Sequence, residues 1–163
     1  MRDLPDPGFA GDDGVASTTL TAALSGYRED PAGGHAAALA VLQHERLLVP
    51  VVAVLAAGGQ GEDGSDKTSD MATVLMRGRD GRTALLAFTG TDAMGRWDPA
   101  ARPVPVPART AAAAAVQDGA SAMVLDVAGP VRFVVETEDL RDLAQGSTLV
   151  RVSDRYGWAR PAR

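Results

Sequence analysis

The stretch Thr83–Ala144, TALLAFTGTDAMGRWDPAARPVPVPARTAAAAAVQDGASAMVLDVAGPVRFVVETEDLRDLA, decides the fold. It reads as strand, short helix, proline-studded strand, alanine helix, strand, tight turn, strand and helix, with almost no slack between them. Thr83–Phe88 and Ala122–Val127 are short apolar runs of strand length. Val104 and Val106 alternate with Pro103, Pro105 and Pro107, and three missing amides confine that strand to a sheet edge or an extended connection. Thr91, Thr110 and Thr137 stand where N-caps are needed, because a hydroxyl accepts from the free amides of a first turn. Gly119 supplies the left-handed stop of the alanine helix, and Ala128-Gly129-Pro130 turns the chain between Ala122–Val127 and Val131–Glu136.

Working outward towards the N-terminus, Leu47–Leu55 is a nearly continuous apolar strand that asks for burial on both faces. Pro50 should then lie near its start or on an edge. Ahead of it stand two short helices. Leu20, Leu24 and Tyr27 form one stripe, with Ser17 or Thr18 as cap. REDPAGG (Arg28–Gly34) reads as a turn, and a second helix runs from about His35 to Gln43. The segment Ala56–Asp70 has no periodicity and an acidic surplus, as expected of a surface loop. Ala72–Arg77 and Thr83–Phe88 form a hairpin around Asp80-Gly81. Thr148–Val152 adds a possible final strand. The expected architecture is a single α/β (α+β mixed) domain over residues 17–150, with a mixed sheet of about five to six strands flanked by helices. Residues 1–16 read as a disordered leader and 151–163 as a basic tail.

Composition narrows the function. The 163 residues include no cysteine and carry a formal charge of −5. Disulfides, thiolate metal sites and cysteine nucleophiles are therefore excluded. The acidic balance argues against a nucleic-acid surface. Charge is uneven: residues 1–30 sum to −4 and residues 151–163 to +3. The acidic, proline-broken start is unlike a signal peptide, and no apolar run is long enough for a membrane helix. A cytoplasmic protein is expected, with no metal and no cofactor.

Each chemical motif has a plainer reading beside it. His35 and His44 point to opposite sides if one helix carries both, so they share no metal or proton relay. Gly58–Thr68 imitates a phosphate loop, but Asp66 stands where a glycine should precede Lys67, and Glu62 and Asp63 would repel phosphate. Glu136, Glu138, Asp139 and Asp142 cluster at a helix start, where the dipole accounts for them. There is no G-x-S-x-G and no serine–histidine proximity. Arg96-Trp97-Asp98 is the best candidate surface: tryptophan and arginine are favoured anchors of interfaces. Against this, Trp97 can equally plug one end of the core.

The order of segments resembles the SseB amino-terminal domain family, a bacterial family. The residues that carry the likeness are Leu48-Val49-Pro50-Val51, Ala84–Thr89 followed by Trp97, Ala112–Ala115, Ala120–Asp126, Ala128–Val134 and Leu140. The resemblance spans about residues 17–145 and implies an α/β domain with a mixed sheet and no established enzymatic activity. A sulfurtransferase would need a reactive cysteine, which is absent. The expected role is non-catalytic: binding another protein or a second copy through an open sheet edge or the Arg96-Trp97-Asp98 corner. The alternative is a small-molecule sensor with its pocket between the alanine helix and the sheet, and an enzyme built on Asp, Glu, Arg or Ser comes third.

Overall fold

The computed structural model describes residues 9–53 and 71–162. Helix α1 (Thr18–Glu29) starts as expected, with the Ser17 hydroxyl accepting from the Leu20 amide at 3.3 Å. Only Asp30 separates it from α2 (Pro31–Leu42). REDPAGG is therefore not a loose turn, and α2 begins four residues earlier than His35. Asp30 accepts from the Gly33 amide at 3.1 Å, and Pro31 stands in the first turn, where no amide is needed. Gly34 permits close helix contact: a Cβ there would lie 2.7 Å from Tyr27 Cα.

The strands follow as β1 (Arg46–Ala53), β2 (Met71–Thr73), β3 (Leu75–Arg77), β4 (Thr83–Ala87), β5 (Arg102–Pro107), β6 (Ala122–Leu125), β7 (Phe133–Val135), β8 (Thr148–Val152) and β9 (Arg155–Ala159). Helix α3 (Thr91–Trp97) joins β4 to β5, α4 (Ala108–Gln117) joins β5 to β6, and α5 (Thr137–Ala144) follows β7. The strands form a β2-β1-β5 sheet, a β3-β4-β6-β7 sheet and a β8-β9 hairpin. A bridge between Leu48 and Phe88, with Leu86 N donating to Val74 O at 3.2 Å, joins the first two. Among the described strand pairs only β4–β6 is parallel, so the class is α+β with mixed sheets, as expected. Because β2 and β3 are successive pieces flanking Val74, the joined sheet has six strand positions, and the hairpin stands apart.

β5 is an edge, as its prolines require. Pro103, Pro105 and Pro107 face Pro50, Leu48 and Arg46, whereas Val104 and Val106 face Val49 and Leu47. Proline cannot donate, so the valine pairs carry the ladder and the proline nitrogens face outward. Pro50 departs from expectation: it is buried in β1, the central strand of its sheet. Its missing amide falls where β1 changes partner, between the Leu48–Phe88 bridge and the Val52–Ala72 pairing.

Alternation divides the core in two. On one face Leu47, Val49, Leu85, Ala87, Met123, Leu125, Phe133 and Val135 pack under α1, α2, α4 and α5. On the other, Leu48, Leu86, Phe88 and Val124 meet Ala93 and Met94 of α3. The three threonines read as caps are first-turn residues instead. Thr91 and Thr137 follow Gly90 and Glu136 as N-caps, and Thr110 stands inside a helix that starts directly from Pro107.

Both segments read as tails are bonded to the domain where the structure describes them. Residues 9–16 lie along the Thr89–Thr91 region, with Thr91 N donating to Gly14 O at 2.8 Å. Residues 148–159 form the β8–β9 hairpin. Gln43 is 4% exposed and holds Leu149 like a strand partner: its Nε2 donates to Leu149 O at 2.9 Å, and Leu149 N donates to its Oε1 at 2.8 Å. Trp158 Nε1 donates to Asp139 Oδ1 at 2.9 Å. Among the described residues, no helix is long and apolar enough to cross a membrane.

Candidate functional site

A cleft of about 390 Å³ opens at the carboxyl ends of the parallel strands β4 and β6. In open α/β sheets the backbone diverges past these ends and leaves room for a ligand. The cleft floor comes from Thr89, two residues after β4, and Asp126, immediately after β6. One wall is the α1 face Thr21, Leu24, Ser25 and Arg28, at helical spacing i, i+3, i+4 and i+7. The opposite wall is Asp92, Ala93 and Arg96 of α3, and Gly14–Ala16 closes a side.

Asp126 is the unusual residue. Its φ is +50°, a left-handed conformation that costs a side-chain-bearing residue about 1–2 kcal/mol. It is only 2% exposed, yet both carboxylate oxygens have partners. Thr89 N donates to Oδ1 at 2.9 Å, and Thr89 Oγ1 donates to Oδ2 at 2.8 Å. Burial pushes the carboxyl above its ordinary range of about 3.8, and the two Thr89 bonds partly offset that. Strained backbone and a buried acid at a strand end are features that gather at functional sites.

Arg46 ties the cleft together from β1. Its guanidinium grips Asp12 in a two-bond fork, Nε to Oδ2 at 2.6 Å and Nη2 to Oδ1 at 2.7 Å. It also donates to Val15 O at 3.0 Å and Thr89 O at 2.8 Å. The N-terminal segment is thereby strapped to the same Thr89 that holds Asp126. Gly90 allows the strap to approach: a Cβ there would lie 2.8 Å from Ala16 N and 3.0 Å from Gly14 O.

The expected corner Arg96-Trp97-Asp98 is divided among three tasks. Arg96 is exposed and lines the cleft. Trp97 is half-buried on the second core cluster, its ring centroid 5.5 Å from that of Phe88. Asp98 organises the following turn, accepting from Ala100 N at 2.9 Å. Trp97 thus serves the core, while Arg96 presents a charge to solvent.

The other motifs resolve differently. His35 is half-buried: its ring stacks on Phe133 at 4.8 Å and its Nε2 lies 3.2 Å from Val134 O, on the free side of edge strand β7. His44 is exposed just beyond α2. Among the described residues, no group of three or more His, Asp or Glu side chains is arranged to hold a metal ion. In the acidic cluster, Glu136 pairs with Arg82 at 3.1 Å, Asp139 accepts from Trp158, and Asp142 accepts from the Ser147 hydroxyl at 3.2 Å. The glycine-rich loop Gly58–Thr68 lies outside the described residues. No residue of α4 lines this cleft, so it is not the pocket expected between the alanine helix and the sheet. Sequence reasoning passed over Thr89 and Asp126. Their signal was a polar residue just after each of two buried apolar runs.

The fold and site define a small α+β domain with a cleft at the ends of its parallel strands, lined by apolar as well as polar residues. Residues 20–142 match the family described as SseB protein N-terminal domain, and the chain belongs to that family. The match takes in α1 from Leu20 onward, with Arg28, Thr89, Arg96 and Asp126, and stops before the β8–β9 hairpin. No curated protein and no solved structure matches the chain.

Proposed function

We propose that this domain acts by binding rather than by catalysis, and that it takes up a small molecule in the cleft between α1, α3 and the carboxyl ends of β4 and β6. The observation that carries this reading is the buried, left-handed Asp126 fixed by Thr89 at the floor of a 390 Å³ opening. That volume lies within the roughly 300–1,000 Å³ of ligand sites. Neither histidine lines the cleft, and of its two carboxylates Asp126 is committed to Thr89 while Asp92 lies exposed on α3, which favours binding over acid–base chemistry at the floor.

Thermal-shift screening of a broad metabolite panel tests this against Ser25→Trp, which fills the cleft from a half-buried wall position. At least one compound should raise the Tm of the wild type and leave Ser25→Trp unmoved. If no compound distinguishes the two proteins, the cleft is not the recognition site.

A protein partner, or a second copy of the chain, is the second reading, supported by the exposed guanidinium of Arg96 beside the anchored Trp97. Edge pairing has weaker support. β5 offers proline nitrogens, while β7 is three residues long and has His35 at its free side. The informative pull-down variant is Arg96→Ala rather than Trp97→Ala, because removing the indole also strips Phe88 of its neighbour.

A further inference from the structure

The walls of the cleft carry two cations from two different helices. Arg28 ends the α1 face that lines it, and Arg96 ends the α3 face opposite. Each stands in the last turn of its helix, where a cation is favourable. That preference accounts for each singly, but not for their convergence on one opening. Among the described residues, neither forms an ion pair or a side-chain hydrogen bond; Arg77, Arg79, Arg102, Arg141 and Arg155 are likewise unpaired there, so the shared opening is what distinguishes Arg28 and Arg96. Guanidinium is weakly hydrated and presents a planar fork that fits carboxylate and phosphate oxygens.

The acids of the cleft do not balance these cations as ligand-binding groups. Both oxygens of Asp126 are occupied by Thr89, so this carboxyl is not free to meet a ligand. Asp92, exposed in the first turn of α3 four residues before Arg96, is the one uncommitted carboxylate, set against two equally exposed guanidiniums. The uncommitted side-chain donors are therefore Arg28, Arg96 and the Ser25 hydroxyl, which suit an anion. A cationic ligand would find no buried carboxylate free to receive it.

We infer that the cleft takes a small organic dianion, a dicarboxylate or a phosphate ester, held between Arg28 and Arg96. The inference rests on the cleft reading above and adds the class of ligand.

The test is titration of the ¹⁵N-labelled protein at constant ionic strength with succinate, inorganic phosphate, neutral succinamide and the diamine 1,4-diaminobutane. The variants Arg28→Met and Arg96→Met keep the apolar stems and remove the charge. Succinate or phosphate should shift the amides of Ser25, Gly90 and Ala93, and either variant should weaken that binding roughly tenfold or more, as expected for lost hydrogen bonds to a charged group. Which of the two binds tells a dicarboxylate site from a phosphate site. Shifts with succinamide or the diamine, but not with the dianions, would overturn the dianion and leave the cleft reading standing. Dianion shifts of equal strength in both variants would reveal diffuse anion attraction and overturn it too. No shift with any of the four at millimolar concentration overturns the dianion alone, and the cleft reading is then decided by the metabolite panel and Ser25→Trp.

Discussion

The alanine helix and the cleft border the same two strands, β4 and β6, and treat them in opposite ways. Over the strands, Ala108, Ala111, Ala112 and Ala115 of α4 are at most 1% exposed, and neither the cleft nor the shallower groove on the second sheet face is lined by α4. Small side chains here bring backbones together and leave no room. At the strand ends, threonines, a serine, two arginines and a buried aspartate surround an opening. Interiors close-pack whatever apolar groups they are given. Around the opening the Thr89–Asp126 and Arg46–Asp12 bonds hold the surrounding segments in place. The cleft thus opens beside the hydrogen-bonded strand ends and not beside α4.

The sharpest test of that contrast is Asp126. Asp126→Ala leaves the buried Thr89 amide and hydroxyl without acceptors and puts a β-carbon with no local hydrogen bond at φ +50°. A loss of about 3 kcal/mol in urea unfolding is expected, roughly 2 from the orphaned donors and 1 from the backbone. Asp126→Gly should recover the backbone part. The carboxyl also leaves a pH signature. Its folded pKa is raised above 3.8, so between that value and the raised one the folded state holds more protons than the unfolded state. Stability should therefore fall as pH rises through that window, and Asp126→Asn should flatten the slope. A slope of the opposite sign would mean that the Thr89 bonds outweigh burial.

The helix side is tested by Ala112→Leu. Its site is fully buried, so added methylenes must displace β-strand or α5 side chains, at about 2 kcal/mol. Ser25→Leu in the cleft wall adds similar bulk and should cost under about 0.5 kcal/mol. Equal losses in the pair would remove the distinction between packed and open regions.

The same contrast explains what could be read in the sequence. The strands β1, β4 and β6, the alanine helix and the proline edge are legible because alternation, apolar length and missing amides act locally. The cleft depends on contacts between distant residues: Asp126 with Thr89, Arg46 with Asp12, and Arg28 opposite Arg96. No period links such pairs. Residues 30–34 misled for a related reason. Asp30-Pro31 is both a turn signal and a helix start, and only the contact of Gly34 with α1 decides between them. The hairpin had a usable sign in the alternation Tyr156-Gly157-Trp158 beyond Ser153-Asp154. Reading four arginines as a solvated end masked it.

A smaller loss than those at Asp126 and Ala112 concerns the strap, a cleft wall held by hydrogen bonds with little apolar burial: Val15 is 64% exposed. The Arg46 fork and the Gly14 amide hold the Asp12 carboxyl below its ordinary 3.8. A lowered folded pKa contributes stability that is complete above 3.8 and lost as pH falls through the folded value, the reverse of Asp126. Removing the pair by Asp12→Ala should cost about 0.5–1 kcal/mol globally, as for a partly exposed ion pair. Its local effect should be larger. Thr91 N loses a securely placed acceptor in Gly14 O, so amide exchange at Thr91 should quicken while Leu85 and Leu125 in the core keep their protection. Protection at Thr91 that survives Asp12→Ala would mean that Gly14 and Ala16, fitted against Gly90, hold this wall without the latch. The cleft would then be as firmly built as the helix-covered face of the sheet.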